Sequence, residues 1–382
     1  MRHCLVLTSS FPDNNEGASA AGVFVQHFAS ELSQHCKVTL LAPGRKPEEK
    51  TIGNMRVLRF PAAGLPLAEL SPLNPLDWLR GWVAIRRGRK YAARLIRQDD
   101  IDHILAFWVV PSMLWIPKNA KDLPCSIWAL GSDIWKISKL PFGKILLRHL
   151  LKRADYRFAD GMELARATAD IAGTSCEFLP SSRQLAVSDI PRRATPPYRL
   201  AFLGRWHPNK GPDILLDALR QLDEADWKNI ESVAIAGGGP LEKQIKDMCA
   251  LLIAEGRPVR MRGYLDPFEA VEFLQASDFV MIPSRIESIP VIFSDAMQCG
   301  RPVISTPVGD LPDLIERLDV GFLSESANSA AFAKAIQQAL GSISNPQEAE
   351  RLRLAKEEFS VSGAVRQFLE QTNNQQSRLA AK

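Results

Sequence analysis

Residues Ile282 to Asp313 read IPSRIESIPVIFSDAMQCGRPVISTPVGDLPD, and their pattern is strand, acidic loop, helix, strand, loop. The run that enters the stretch, Asp278 to Ile282, is short and apolar, as a buried parallel strand should be. Pro290 suits the start of a helix, where its missing N–H costs nothing. A helix start carries free N–H groups and partial positive charge, which favours a phosphate. Glu287 and Asp295 lie eight positions apart across this junction. Carboxylates do not bind phosphate, but they accept hydrogen bonds from hydroxyls. Two of them around one anion site point to a sugar or ribose ligand.

Outward from this stretch, strand-like runs alternate with helical patterns along the whole chain. The first half has Leu5–Thr8, Lys37–Leu41, Arg56–Phe60, His103–Phe107, Ser126–Leu130, Tyr156–Phe158 and Glu177–Leu179. The second half has Arg199–Leu203, Ser232–Ala236, Val259–Arg262, Asp278–Ile282, Pro302–Ser305 and Val320–Leu323. Repeated βα units imply parallel sheets flanked by helices. With 382 residues, two domains are expected. The stretch Ser181 to Arg199, SSRQLAVSDIPRRATPPYR, has the composition of an exposed linker. The expected division is a first domain over 1–180, a linker over 181–198, a second domain over 199–344 and a helical segment over 345–372. The tail from Asn373 is expected to be disordered. Ligands of such sheets sit beyond the carboxyl ends of the strands, so the loops after the strands carry the candidate site.

Composition excludes several classes. Apolar residues make up 46% and charged residues 24%, ordinary for a globular protein. The six cysteines are scattered with no CxxC pair, which argues against a zinc site or disulfide framework and fits a reducing, cytoplasmic compartment. The six histidines show no ligand spacing. The N-terminus reads as a strand rather than a signal peptide, and the apolar run Ile104 to Ile116 falls short of the ~20 residues a membrane helix needs. Charge is unevenly spread. Residues 1–200 hold 28 Lys and Arg against 18 Asp and Glu, and residues 201–382 hold 19 against 25. The excess concentrates in Arg80 to Arg97 and Lys144 to Arg153, with Trp82 and Tyr91 inside the first and Trp78 just before it. This is either a solvated helix face or a patch for anionic lipid headgroups or an anionic acceptor. No recognition motif accompanies the charge, so nucleic acid is not expected as a partner.

Two further stretches carry chemistry. In AFLGRWHPNKGPDILLDAL, residues 201–219, a strand ends at Gly204 and a helix starts near Pro212. Arg205 and Lys210 between them place two cations beside a helix start, an anion site in which Arg binds oxygens bidentately. The alternative is a pair of surface cations at a turn. In AIAGGGPLEKQI, residues 234–245, Gly238 and its neighbours either let backbone approach a ligand or simply make a tight turn.

Together these stretches resemble the retaining family-4 glycosyltransferases of the GT-B fold. The family's Glu-x7-Glu pattern, Ala-Met pair and Gly-x-Pro-Val strand stand here as Glu287, Asp295, Ala296-Met297 and Gly300-Arg301-Pro302-Val303. Its Gly-Arg-x4-Lys-Gly pattern stands as Gly204-Arg205 and Lys210-Gly211. The second Glu is shortened to Asp295, and Ser288-Ile289-Pro290 replaces a glycine-rich run. The resemblance implies an α/β chain of two Rossmann-like parallel-sheet domains facing across a cleft, with the terminal helix crossing back to the first. It implies that Arg205 and Lys210 grip the diphosphate of a UDP-, GDP- or ADP-sugar and that Glu287 holds its sugar hydroxyls. Asp295 would hold the ribose, and the N–H groups of Ile289 and Val291 would meet sugar and phosphate. Arg262 and Tyr264 would line the nucleobase pocket, although Tyr264 equally suits a core position.

In the first domain the resemblance implies that Gly22, in FPDNNEGASAAG after the first strand, covers the diphosphate. Asp133, in WALGSDIW, would either touch acceptor or sugar hydroxyls or cap the following helix. A family histidine is absent there. Trp108 would stack on a sugar or, more simply, fill the core. With cations and a helix terminus supplied, no metal or other cofactor is needed. The implied reaction moves a sugar, with retention, to an acceptor hydroxyl on a saccharide or a lipid carrier, as in surface polysaccharide or glycolipid synthesis. The protein would be cytoplasmic or peripheral on the inner membrane face. The alternatives are an epimerase or phosphorolytic enzyme on the same fold, or a silent nucleotide-binding scaffold.

Overall fold

A computed structural model describes residues 1–12, 20–62, 67, 74–120 and 122–380. It divides into two compact units, one of residues 1–184 with 361–382, the other of residues 185–360.

Among its described residues the first unit has eight strands, β1 (His3–Thr8), β2 (Lys37–Gly44), β3 (Glu48–Ile52), β4 (Met55–Pro61), β5 (His103–Phe107), β6 (Cys125–Ala129), β7 (Tyr156–Ala159) and β8 (Glu177–Phe178). Their order in the sheet is β3-β4-β2-β1-β5-β6-β7-β8. The helices are α1 (Ala20–Leu32), α2 (Pro75–Gln98), α3 (Val109–Trp115), α4 (Ser132–Trp135), α5 (Gly143–Leu151) and α6 (Met162–Ala172). Side chains alternate faces along each strand, and the two cores follow that rule. Leu5, Leu7, Ile104 and Ala106 join one core with α2, α3, α5 and α6. Cys4, Val6, Leu105 and Phe107 join the other, with α1 beneath them.

The sheet is parallel except at its edge, where β3 runs antiparallel to β4. No strand was expected at EEKTI, because its polar, charged residues carry no apolar alternation. Charge is what an edge strand tolerates and uses to resist further pairing. A two-residue turn, Gly53-Asn54, joins the pair, with Gly53 at φ +56°.

The second unit has β9 (Tyr198–Arg205), β10 (Ile230–Gly238), β11 (Val259–Arg262), β12 (Phe279–Ile282), β13 (Val303–Ser305) and β14 (Gly321–Leu323). Their order is β11-β10-β9-β12-β13-β14, all parallel. Helices α7 (Pro212–Leu219), α8 (Glu224–Lys228), α9 (Glu242–Ala254), α10 (Pro267–Gln275), α11 (Val291–Gln298), α12 (Leu311–Leu318), α13 (Ser329–Leu340) and α14 (Pro346–Glu358) complete it. A last helix, α15 (Val361–Ala380), belongs to the first unit and adds Ala364, Val365 and Phe368 to the core on the α1 side.

Two expectations need correction. The segment 345–372 is not one helix. It breaks at Phe359-Ser360, where Phe359 turns in edge-to-face against Phe293 of α11. The tail beyond Asn373 stays helical to Ala380 rather than becoming disordered. The linker is largely exposed, as its composition implies. From Leu185 it is tied to the second unit, where the buried Arg301 guanidinium donates to the Ile190 and Gln275 carbonyls. Asp278 accepts from the backbone N–H of Arg193 and Arg199 and from the Arg199 side chain.

Candidate functional site

In a parallel sheet the ligand crevice opens where strand order reverses. In the second unit that point lies between β9 and β12, neighbours in the sheet but far apart in the chain. The loops leaving these two strands carry Arg205 and Lys210 on one side and Glu287 on the other. Sheet topology therefore brings the Lys210 and Glu287 loops together, with Arg205 at the end of β9.

Their local geometry is closely built. Beyond β9 a single 3₁₀ turn, Pro208–Lys210, is capped by His207, whose Nδ1 accepts from the Asn209 N–H at 3.2 Å. The turn ends at Gly211, φ +63°, where a Cβ would collide with the Pro283 carbonyl. Only glycine lets the two loops approach so closely. Lys210 Nζ donates to Glu287 Oε1, and Ser284 Oγ donates to the same oxygen at 3.2 Å. Glu287 is mostly covered, whereas Lys210 keeps about a third of its side chain in solvent. Arg205 is exposed and makes no ion pair with a described residue.

A brace holds these loops in register, and sequence reasoning passed over it. Arg285 forms a bidentate pair with Asp213 of α7 at 2.9 and 2.6 Å, and also donates to the Pro208 carbonyl at 2.7 Å. Its backbone N–H donates to Asn209 O at 2.8 Å. Burial alone would raise the Asp213 carboxyl, but the bond and charge of Arg285 more than reverse this and hold it below its ordinary value. A cation two residues before Glu287 and an acid three after Lys210 were the available signal. From above, Gly309 at φ +56° closes on the loop so tightly that a Cβ would strike the carbonyls of Glu287 and Ser288.

Helix α11 begins at this loop with Pro290 as its N-cap, no side-chain cap and no acid in its first turn. The N-terminal pole is thus left for a ligand. Val291 is its exposed first residue, and Ile289 is half-buried just before it. Asp295 lies on the second turn and is only 2% exposed.

On the β10 side, Gly238 ends the strand and the Tyr264 ring lies over it, close enough that a Cβ would come within 2.7 Å of the ring. Tyr264 is 73% exposed, so the core alternative for it falls. Arg262 is exposed and faces Glu269 at 3.4 Å.

The first unit places its candidates differently. Gly22 is buried in the first turn of α1, where a Cβ would come 3.1 Å from Pro12. Residues 13–19 of its loop lie outside the described residues. Asp133 is buried, with Oδ2 accepting from Val109 N–H at 2.6 Å and Oδ1 from Leu130 N–H at 3.1 Å. Burial pushes its pKa up to about 6 against the pull of these N–H groups. The hydroxyl-contact alternative therefore finds no exposed oxygen, and Asp133 pins the turns after β5 and β6 instead. Trp108, at φ +62°, opens the first of those turns and packs edge-to-face on Phe24, partly in the core. Among the described residues, no group of His, Cys, Asp and Glu is arranged to hold a metal, and no helix is long and apolar enough to cross a membrane.

Two doubly wound α/β domains in one chain define the GT-B fold. The chain aligns over its full length, and over the full length of the other, with the sucrose-phosphate synthase of Thermosynechococcus elongatus (TM-score 0.64, 15% identity). It aligns over 98% of its length with all of Anabaena HepE, solved in complex with UDP (TM-score 0.63, 17% identity).

The family model described as glycosyl transferases group 1 matches residues 197–342. The D-inositol 3-phosphate glycosyltransferase of Corynebacterium glutamicum (strain R) is 33% identical over 374 residues, 88% of this chain and 87% of that enzyme. The chain belongs to the group 1 glycosyl transferases. The similarity is concentrated in the second unit. The Corynebacterium aurimucosum enzyme of the same name is 35% identical over 144 residues, and there the chain spans about a third of its relative's length.

Proposed function

We propose that this protein is a retaining glycosyltransferase that moves a sugar from a nucleoside-diphosphate sugar to an acceptor hydroxyl. The observation that carries the reading is the Lys210–Glu287 pair, braced by Arg285–Asp213 at the switch point of the second sheet, beside Arg205 and an uncapped helix start. The cation and the carboxylate satisfy each other. A donor entering between them gives Lys210 a charged phosphate in place of Glu287, and gives Glu287 hydrogen bonds from neutral sugar hydroxyls in place of Lys210. As the glycosidic bond lengthens, negative charge grows on the diphosphate, where Arg205, Lys210 and the α11 N–H groups meet it. The acceptor hydroxyl enters on the face the leaving group vacates and passes its proton to the departing diphosphate oxygen, which retains the anomeric configuration. No metal is asked to neutralise the leaving group.

Tyr264 over Gly238 provides an exposed aromatic face for the nucleobase. The UDP in the Anabaena neighbour supports uridine as the first base to try. The relatives named for D-inositol 3-phosphate, together with the basic first half of this chain, support an anionic acceptor. We place that acceptor on a saccharide or lipid carrier reached at the cytoplasmic membrane face, in surface polysaccharide or glycolipid synthesis.

The test is thermal shift against UDP, GDP, ADP and their sugars, since a ligand that binds the folded state raises its stability by mass action. One nucleotide should shift wild type, and Glu287→Ala should abolish only the extra shift that the sugar adds. NMR of the product then reads the anomer. A folded protein that responds to none of these ligands would overturn the nucleotide-sugar reading, and an inverted product would remove the retaining assignment.

A further inference from the structure

The first unit exposes apolar side chains where a water-facing helix should not. In α2 a buried stripe of Ala84, Gly88, Ala92 and Leu95 faces the sheet, as an amphipathic helix requires. Its first two turns nevertheless present Leu76, Trp78, Leu79 and Trp82 to solvent, with Trp82 53% exposed. The Arg86 guanidinium lies over the Trp82 ring, 4.7 Å from its centre. Apart from Gln98, the later exposed positions of α2 are Arg and Lys. A second such end occurs in α5. Its N-cap, Phe142, takes the left-handed conformation at φ +59° and is 80% exposed, followed by exposed Ile145 and Leu146. Lys136, Lys139, Lys144 and Arg148 surround them, all exposed.

Topology puts these two ends together. Both helices cover the same face of the first sheet and share one core, and both pack against α3 between them. Each begins beyond the carboxyl end of its preceding strand, β4 or β6, so both N-terminal ends lie at the same rim. Residues 75–98 and 134–153 together hold thirteen Lys and Arg and one acid, Asp77. Aromatic and aliphatic groups at one rim with a dense cationic field behind them match the two layers of an anionic bilayer surface, an acyl boundary and a row of phosphates.

We propose that this rim of the first unit docks on an anionic lipid bilayer. Leu79, Trp82, Phe142 and Ile145 enter the headgroup boundary, and the Lys and Arg of α2 and α5 meet lipid phosphates. This deepens the membrane-side acceptor reading above, and it is independent of the donor site in the second unit.

The experiment is flotation of the full chain with phosphatidylcholine vesicles and with vesicles that also contain phosphatidylglycerol, at low and high salt. The protein should float only with the anionic vesicles, with a blue shift of tryptophan emission, and salt should weaken binding. The double variant Trp82→Ser/Phe142→Asn, at two exposed positions, should keep its melting temperature and bind about tenfold more weakly. Equal binding to neutral and anionic vesicles would overturn the proposal, as would a variant that floats like wild type. Displacement by short RNA or polyphosphate with no emission shift would show a general polyanion site instead. Nucleotide thermal shift on the same preparations tells failure of the docking surface from failure of the donor reading.

Discussion

At the scale of single residues, the site divides into groups that hold the loops and groups left open to a ligand. Arg205 is of the second kind, because it is exposed and makes no ion pair with a described residue. Arg205→Ala should lower kcat by about a hundred- to a thousandfold, the effect of losing one preorganised donor to a developing anion. Its stability should stay within about 0.5 kcal/mol of wild type, as for a surface change that breaks nothing. Initial rates and urea melts on one preparation check both, and near-normal turnover would remove Arg205 from the chemistry. Arg285 is of the first kind. Asp213→Ala and Arg285→Ala should each destabilise the second unit, and the double variant should cost less than their sum by about 1–3 kcal/mol. Denaturant melts of the four proteins give that coupling energy, and strict additivity would mean that the brace holds nothing. Arg205, Lys210 and Glu287 were legible from type and order alone. The Arg285–Asp213 brace was not, because pairing across 72 residues depends on which strands become neighbours. Asp295 was legible as a helix-turn acid, but its burial was not.

At the scale of elements, Asp133 shows how one carboxylate shapes two turns. Its oxygens hold the N–H groups that begin the turns after β5 and β6. Sequence alone left sugar contact and helix capping equally open, because the residue type suits both; in the structure Asp133 is buried and lies inside α4, whose N-cap Gly131 has no side-chain cap bond. Its pKa, raised by burial to about 6, has a consequence of definite sign. The unfolded value is near 3.9. The group's favourable contribution is therefore complete below that value and is lost as pH rises through about 6. Asp133→Asn removes the titration. The stability advantage of wild type over the variant should shrink between pH 4 and pH 7 by on the order of 3 kcal/mol. Urea unfolding of both proteins at several pH values measures it, and a gap that does not change with pH would contradict the assignment. The strands were mostly legible because a buried parallel strand is a short apolar run. β3 was missed because an edge strand has no apolar face to show.

At the scale of the whole molecule, the two-unit division was legible in the alternating βα pattern and the proline-rich join. The point where the chain returns to the first unit was harder to place. Helix α14 is mostly polar and buries only Leu352 and Ala355, whereas α15 is amphipathic, and neither pattern names its partner. Two packing events decide it: Phe359 turns against Phe293 in the second unit, and Phe368 enters the first. Phe368 is fully buried, with ring centres of Phe28 and His103 at 5.8 Å and of Phe158 at 5.6 Å. Tyr156 Oη donates to the Thr372 carbonyl one turn further on. Phe368→Ala leaves a cavity among these rings and should cost the first unit about 3–5 kcal/mol. Each unit has its own core, so unfolding need not be a single transition. Calorimetry of wild type with and without nucleoside diphosphate identifies the second unit's transition as the one the ligand raises. Phe368→Ala should lower the other transition and leave the ligand-responsive one in place. If both fell together, α15 would be holding up the whole chain rather than finishing one domain's core.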